Sequence, residues 1–400
     1  MVGLLKRLLG KESIAFQVVL RRIPASPGAL WKLATNGYSV YRSGETSFPP
    51  VSLNLESTAK CNLKCPMCPR TDYMTRDVGN MDLAFYRRIV AEIDPVFIAL
   101  AQFGEPFLHP QLEEMVAFAA ERGSVTRITT NATAFTARRL KSLIQAGASH
   151  FLISLDSCDR ETYERIRVGA RFDHVMENIR LLLEVARGFG ERAPVISFNV
   201  TLTRENAGEI PAMIAFCRRE FGLSPTFSKS YTYGEAALRE SAIHTWPPAH
   251  AAIRAGYDLG RELGLPEVCD NLRTLHNDIH HPVRGYRPCF WPYFTTNVTW
   301  DGRVYPCCNY FDCQMEMGDL RSQSFREIWS GRAYRQFRRQ LLRDREQFPI
   351  CRACELVDVG INNAIARVER FLPPVRIMAG RRFLPIVRPV GMPPVGSAPS

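Results

Sequence analysis

The chain has 400 residues, a hydrophobic content of 46% and a formal net charge of +11. That length and apolar fraction support a large buried core, which excludes both a disordered chain and a small disulfide-stapled one. The basic balance suits anionic partners, but the cations are spread along the chain and at 332–345 alternate with apolar residues, as on a solvated helix face; nucleic-acid binding is disfavoured.

Residues 1–49 form an N-terminal extension that opens on a basic amphipathic stretch, Leu4-Leu5-Lys6-Arg7-Leu8-Leu9. It lacks the continuous apolar run and small-residue cleavage site of a signal peptide. Two readings stand for it: a helix packed on the domain, or peripheral contact with a membrane surface. No stretch approaches the roughly 18 apolar residues of a membrane span. Together with twelve cysteines in a chain neither small nor visibly secreted, this points to a reducing cytoplasm with thiols kept for metal.

From 50 to 233 strand-like and helix-like patterns alternate. The strands are predicted at 51–57, 96–104, 125–131, 150–156, 195–203 and 225–233, and the helices at 81–93, 111–122, 136–145, 172–187 and 207–221. Asp82 and Asn206 stand where N-caps would start two helices, and Gly123, Gly147 and Gly222 follow three of them. Six such units predict an α/β fold with a parallel sheet, a partial (β/α)6 TIM-like barrel whose chemistry gathers at the carboxyl ends of its strands. Residues 234–284 read as a helical connector. Residues 285–360 change character, with six of the twelve cysteines, an aromatic strand at 293–300 and an Asp301-Gly302 turn, and predict a small α+β module. The tail, 361–400, is rich in proline and arginine and reads as loosely docked.

The most informative feature is Cys61-Asn-Leu-Lys-Cys65-Pro-Met-Cys68, directly after the first predicted strand. Three thiolates at this spacing can hold three corners of a 4Fe-4S cube and leave one iron open to a small molecule. A zinc knuckle is the alternative, but zinc wants a second Cys or His pair close by, and none precedes Cys158. In the C-terminal module a thiol before a hairpin (Cys289), one after it (Cys307) and the pair Cys351-x-x-Cys354 can surround a second cubane or, with the same four thiolates, a structural zinc. Cys308 and Cys313 could each replace Cys307. Cys158, Cys217 and Cys269 are isolated and read as buried thiols.

This loop, in this β/α frame, resembles the radical S-adenosylmethionine (SAM) superfamily. The resemblance implies SAM on the open iron of a cluster held by Cys61, Cys65 and Cys68, one-electron cleavage of its sulfonium to a 5′-deoxyadenosyl radical, and hydrogen abstraction from a substrate. Gly104-Glu105-Pro106 ends the second strand where the family has a Gly-Gly-Glu-Pro stretch that recognises the SAM amino group; here Phe103 replaces the first glycine. By the same resemblance Ser154 and Asp156 take the ribose hydroxyls and Arg167 the SAM carboxylate, while Asn131 could also face the cofactor. Local readings remain for each: a helix cap for Asp156, a turn for Asn131, a solvated salt bridge for Arg167. The segment 285–360 resembles the SPASM/twitch extension in its shorter form, with one auxiliary 4Fe-4S cluster on Cys289, Cys307, Cys351 and Cys354.

The resemblance also implies an electron donor such as a flavodoxin or ferredoxin. For the substrate, the sequence reading favours a small molecule, such as an alcohol or sugar oxidised by two electrons, over a peptide. The alternatives are a peptide-modifying maturase and, from a different class, an electron-transfer or binding protein with two closed clusters.

Overall fold

In a computed structural model of the chain, the described residues are 48–229, 246–280, 289, 291–310, 312 and 315–352. Residues 1–47 of the N-terminal extension, the C-terminal tail, Cys313 and Cys354 lie outside them.

Each predicted strand in the first half is present: β1 (Ser52–Leu55), β2 (Phe97–Leu100), β3 (Val125–Thr130), β4 (His150–Ser154), β5 (Val195–Leu202) and β6 (Pro225–Lys229). All pair in parallel, in sequence order. After α1 (Pro69–Asp72) in the cysteine loop, the connecting helices are α2 (Leu83–Ile93), α3 (Leu112–Glu121), α4 (Ala137–Gln145), α5 (Arg160–Ile166), α6 (Phe172–Arg187) and α7 (Ile210–Phe221). Asp82 caps α2 by accepting from the Phe85 N–H, and Gly123, Gly147 and Gly222 all take positive φ just past their helices, as the sequence suggested. Asn206 is not a cap: its side chain accepts from the Thr203 N–H and donates to the carbonyls of Asp156 and Thr201, tying the ends of β4 and β5 together. The short α5 was not foreseen; Asp159 starts it by accepting from the Thr162 N–H.

α8 (Pro247–Glu262) and α9 (Pro266–His280) make the 246–280 stretch helical, as its composition suggested. α9 lies on the outer edge of β6, where Asn271 accepts from the Phe227 N–H and donates to the Phe227 carbonyl. The side chain takes the place of a neighbouring strand and closes an edge that would otherwise invite pairing.

Beyond α10 (Trp291–Phe294) the chain forms β7 (Thr295–Val298), β8 (Arg303–Tyr305) and β9 (Gly318–Asp319). These do not build a separate sheet. β7 pairs in parallel with β1, in the register Asn54 to Asn297, and β8 and β9 follow antiparallel. One nine-stranded sheet results, in the order β6-β5-β4-β3-β2-β1-β7-β8-β9. β1 is therefore an interior strand, which suits its fully buried Leu53 and Leu55. The last helices are α11 (Phe325–Trp329), started by a Ser324–Glu327 capping box, then α12 (Arg332–Arg343) and α13 (Pro349–Arg352). α12 buries Tyr334, Phe337 and Leu341 and exposes Arg332, Arg335, Arg339 and Arg343, the solvated face read from the sequence.

The two faces of the sheet differ. Ile98, Leu100, Ile128, Phe151, Ile153, Phe198 and Val200 point to the helices and are sealed from water; Phe198, for example, packs on Phe221 of α7. The alternate positions point inward and are largely polar. Arg127, Thr129, Ser154, Asn199, Thr201, Thr226 and Ser228 are only half-buried there. A strand period of two thus gives an apolar shell around an interior that keeps contact with solvent.

Candidate active site

The cysteine loop follows β1 and lies over the carboxyl ends of β1 to β4. Backbone bonds fix it from several sides: Lys64 N–H donates to the Val168 carbonyl (2.9 Å), Glu105 N–H to the Lys60 carbonyl (2.8 Å) and Arg70 Nε to the Ala59 carbonyl (2.8 Å). Thr71 Oγ1 donates to the Cys65 carbonyl at 2.9 Å.

Each of the three thiols has an N–H donor aimed at it. Leu63 N–H lies 3.5 Å from Cys61 Sγ and Asn131 Nδ2 lies 3.9 Å from it. Arg167 Nη1 lies 3.8 Å from Cys65 Sγ, and Cys68 takes a backbone N–H from Arg70. Such donors stabilise thiolate, the form that binds iron. As free thiols the three are held protonated: burial pushes all three up, Cys68 to about 11, so iron would have to displace the protons on binding. Among the described residues no three His, Cys, Asp or Glu side chains converge on a single ion position.

Gly104 and Glu105 form the next wall. A Cβ on Gly104 would stand 1.9 Å from the Thr58 carbonyl oxygen, so only glycine lets the β2 turn lie against the start of the cysteine loop. The Glu105 carboxylate is buried and fully engaged. It accepts from Phe107 N–H (3.1 Å), Thr130 Oγ1 (2.8 Å) and Asn131 N–H (2.7 Å), and burial raises its pKa. The side chain ties β2 to β3, and the backbone of the turn is what remains for a ligand. Just before it, Gln102 holds a left-handed φ of 93° and donates to Asn297 Oδ1 (3.1 Å), which also accepts from Asn54 Nδ2 (3.0 Å). A non-glycine residue in that conformation is strained, and here the strain joins the turn to β7.

Asn131 takes the turn role read for it, and its amide also reaches the first thiol. Its Oδ1 accepts from Thr133, as a turn asparagine does, and its Nδ2 faces Cys61 and Asn62. Ser154 ends β4 on the inner face, in register with Asn199. Two readings need correction. Asp156 is neither an open acceptor for a ribose nor a helix cap: it is buried, with Oδ1 taking the Thr201 N–H (2.8 Å) and Oδ2 taking Arg167 Nε (2.5 Å). Arg167 is accordingly no solvated ion-pair partner; its side chain is largely buried between Asp156 and Cys65.

In the C-terminal module Cys289, Cys307 and Cys351 are half-buried against the core, and Cys308 is also half-buried. Tyr310 links two of them: its N–H donates to the Cys307 carbonyl (3.1 Å) and its hydroxyl lies 3.5 Å from Cys351 Sγ. Cys354, the expected fourth ligand, lies outside the described residues. Cys217 is buried and Cys158 and Cys269 are half-buried, each away from these groups of thiols.

A clamp that the sequence reading missed joins the two cysteine regions. Past the cysteine loop, Thr75 and Arg76 donate to the Asp312 carboxylate, Trp300 Nε1 donates to the Asp77 carbonyl (3.1 Å), and Arg76 pairs with Glu56. No short-range spacing marks these residues: Arg76 and Glu56 are 20 positions apart, and the Asp312 and Trp300 contacts span more than two hundred.

Two family models match the chain: the Radical SAM superfamily over residues 55–217 and an iron–sulfur cluster-binding domain, SPASM, over residues 289–355. The chain is 25% identical over 333 residues to the tungsten-containing aldehyde ferredoxin oxidoreductase cofactor-modifying protein of Pyrococcus furiosus, covering 76% of this chain and 87% of that one. It is 28% identical over 301 residues to the PqqA peptide cyclase of Xanthomonas axonopodis, covering 72% and 77%. The solved structure of anSMEcpe with AdoMet and the Kp18Cys peptide superimposes with a TM-score of 0.57 at 18% identity, over 78% of this chain and 88% of that one. These comparisons correct the preference for a small molecule over a peptide: a curated relative spanning most of the chain is by name a peptide cyclase, and a structural neighbour holds a peptide.

Proposed function

This chain is a radical SAM enzyme with a C-terminal SPASM module, its cofactors are 4Fe-4S clusters and SAM, and from that premise we propose that it modifies a peptide substrate. In this reading Cys61, Cys65 and Cys68 hold the SAM-binding cluster, and Cys289, Cys307, Cys351 and Cys354 hold the auxiliary one. With SAM on its open iron, the first cluster supplies reductive cleavage of the sulfonium and, through it, hydrogen abstraction from the substrate.

The residues around it have separable tasks. The backbone at Gly104-Glu105-Pro106 faces the SAM amino group, while the buried Glu105 carboxylate keeps that turn rigid against β3. Asn131, whose amide reaches Cys61, and Ser154, at the end of β4 on the inner face, offer polar contacts to the nucleoside. The inner row of Thr129, Asn199, Thr201, Thr226 and Ser228 supplies amide and hydroxyl groups suited to a peptide backbone.

The observation that carries the reading is the half-buried polar interior below the cysteine loop. An alternating apolar core would have filled that space. The peptide names among the relatives support the same choice.

The test uses the full chain, reconstituted with iron and sulfide without oxygen, reduced with dithionite and given SAM and short peptides encoded beside its gene, synthesised with deuterated side chains. Deuterium in 5′-deoxyadenosine and a peptide product lighter by the abstracted hydrogens are expected, and both vanish when Cys61, Cys65 and Cys68 are replaced by alanine. Release of 5′-deoxyadenosine with no label from any peptide overturns the peptide assignment.

A further inference from the structure

Asp156 and Arg167 form a buried ion pair pointed at one of the three thiols. The Asp156 carboxylate cannot turn, because Thr201 N–H holds its other oxygen and Asn206 Nδ2 holds its carbonyl at 2.7 Å. Arg167 Nε is pinned to that carboxylate at 2.5 Å. Since a guanidinium is planar, fixing Nε fixes the whole fork, and Nη1 comes to lie 3.8 Å from Cys65 Sγ. Cys61 takes its hydrogen bonds from the Leu63 backbone and the neutral Asn131 amide, and Cys68 from the Arg70 backbone. Of these three thiols, Cys65 is the one that takes a hydrogen bond from a charged side chain.

We propose that Asp156 positions Arg167 to donate a charge-assisted N–H···S hydrogen bond to the Cys65 thiolate, and that this bond raises the reduction potential of the cluster on Cys61, Cys65 and Cys68. The inference rests on the reading that these three cysteines hold a cluster, and it assigns Arg167 a task that exists before SAM arrives. Reduction adds one negative charge spread over iron and sulfur. A donor on a thiolate stabilises that extra charge more than it stabilises the oxidised state, and because Cys65, Asp156 and the Arg167 side chain are buried or nearly so, the difference is weakly screened. Asp156 offsets part of the charge of the pair but lies on the far side of the guanidinium, so the positive end faces sulfur. Arg167 is thus a positioning residue that controls how readily a donor fills the cluster.

The test is a potentiometric titration of the reconstituted full chain without SAM, read by the EPR signal of the reduced cluster. The relevant signal is the one that changes shape when SAM is added afterwards. Arg167→Met is expected to lower the midpoint by about the equivalent of a tenfold change in the reduction equilibrium, roughly 59 mV for one electron. Arg167→Lys is expected to shift it in the same direction by less, because a compact ammonium keeps the charge but cannot fork between carboxylate and thiolate. If Arg167→Met takes up no iron, Arg167→Lys decides by the same criterion. Wild-type midpoints in iron-loaded variants, even with weakened SAM binding, overturn the proposal and leave Arg167 as a SAM contact. A wild-type protein with no SAM-sensitive signal instead removes the functional reading itself.

Discussion

Arg76 lies against Glu56 as a bidentate ion pair with both side chains out of solvent, Nη1 standing 2.7 Å from Oε2. Glu56 directly follows β1, Arg76 lies beyond the cysteine loop, and the same Oε2 accepts from the Trp300 N–H of the β7–β8 turn at 3.2 Å. Three parts of the chain meet on one carboxylate. Removing one partner strands a buried charge, so Arg76→Met is expected to cost about 3–5 kcal/mol. Replacing both together, Glu56→Leu with Arg76→Met, is expected to cost less than that single change. Denaturant unfolding of the two variants measures the order, and a double variant less stable than Arg76→Met would contradict it.

Gly104 sets how closely the β2 turn approaches the cysteine loop. Gly104→Ala places a methyl group 1.9 Å from the Thr58 carbonyl oxygen, and backbone on both sides leaves nothing flexible to yield. The expected outcome is an enzyme that still takes up iron at its cysteines but loses SAM binding by at least about tenfold, roughly 1.4 kcal/mol. Equilibrium dialysis with labelled SAM and an iron count on the same sample read the two effects separately.

Cys307 and Cys308 are adjacent and both half-buried; the backbone bond from Tyr310 falls on Cys307, and because the same tyrosine reaches Cys351 through its hydroxyl, we propose Cys307 as the ligand. Cys307→Ala is expected to remove one cluster's complement of iron, about half the total in a two-cluster protein. Cys308→Ala is expected to keep it. Iron and acid-labile sulfide analysis of the two variants distinguishes them.

His150, near the start of β4, is buried on the inner face, with Nε2 2.6 Å from Ser197 Oγ. Burial, with the Arg127 charge second, pushes it down to about 3. The unfolded chain therefore binds a proton near pH 6.5 that the folded protein refuses. Stability from this site is complete above about pH 6.5 and is lost as pH falls toward 3, by up to about 1.4 kcal/mol per pH unit. Thermal unfolding between pH 7 and pH 5 should show wild type losing stability faster than His150→Gln. Parallel losses would mean that His150 does not control this range.

The periodic features were legible in sequence because they are local. An apolar alternation of two is enough to place β3 and β4, and a cap such as Asp82 needs only its own next turn. The cysteine loop was legible for the same reason: three ligands within eight residues share one stretch of backbone. Asn206 shows the limit. Its residue type suits a cap, but the ends of β4 and β5 compete for its amide and win, because buried carbonyls there need donors.

The sequence by itself determined the alternating strands and helices, the three-thiol loop and the glycine beside it, since each depends on residues a few positions apart. Only the tertiary structure decided that β7 joins β1, that Asp156 serves Arg167, and that Arg167 reaches Cys65. Those contacts join positions 11 to 243 residues apart. Whether such groups meet depends on register, burial and the geometry of a nine-stranded sheet, which no short window of sequence encodes.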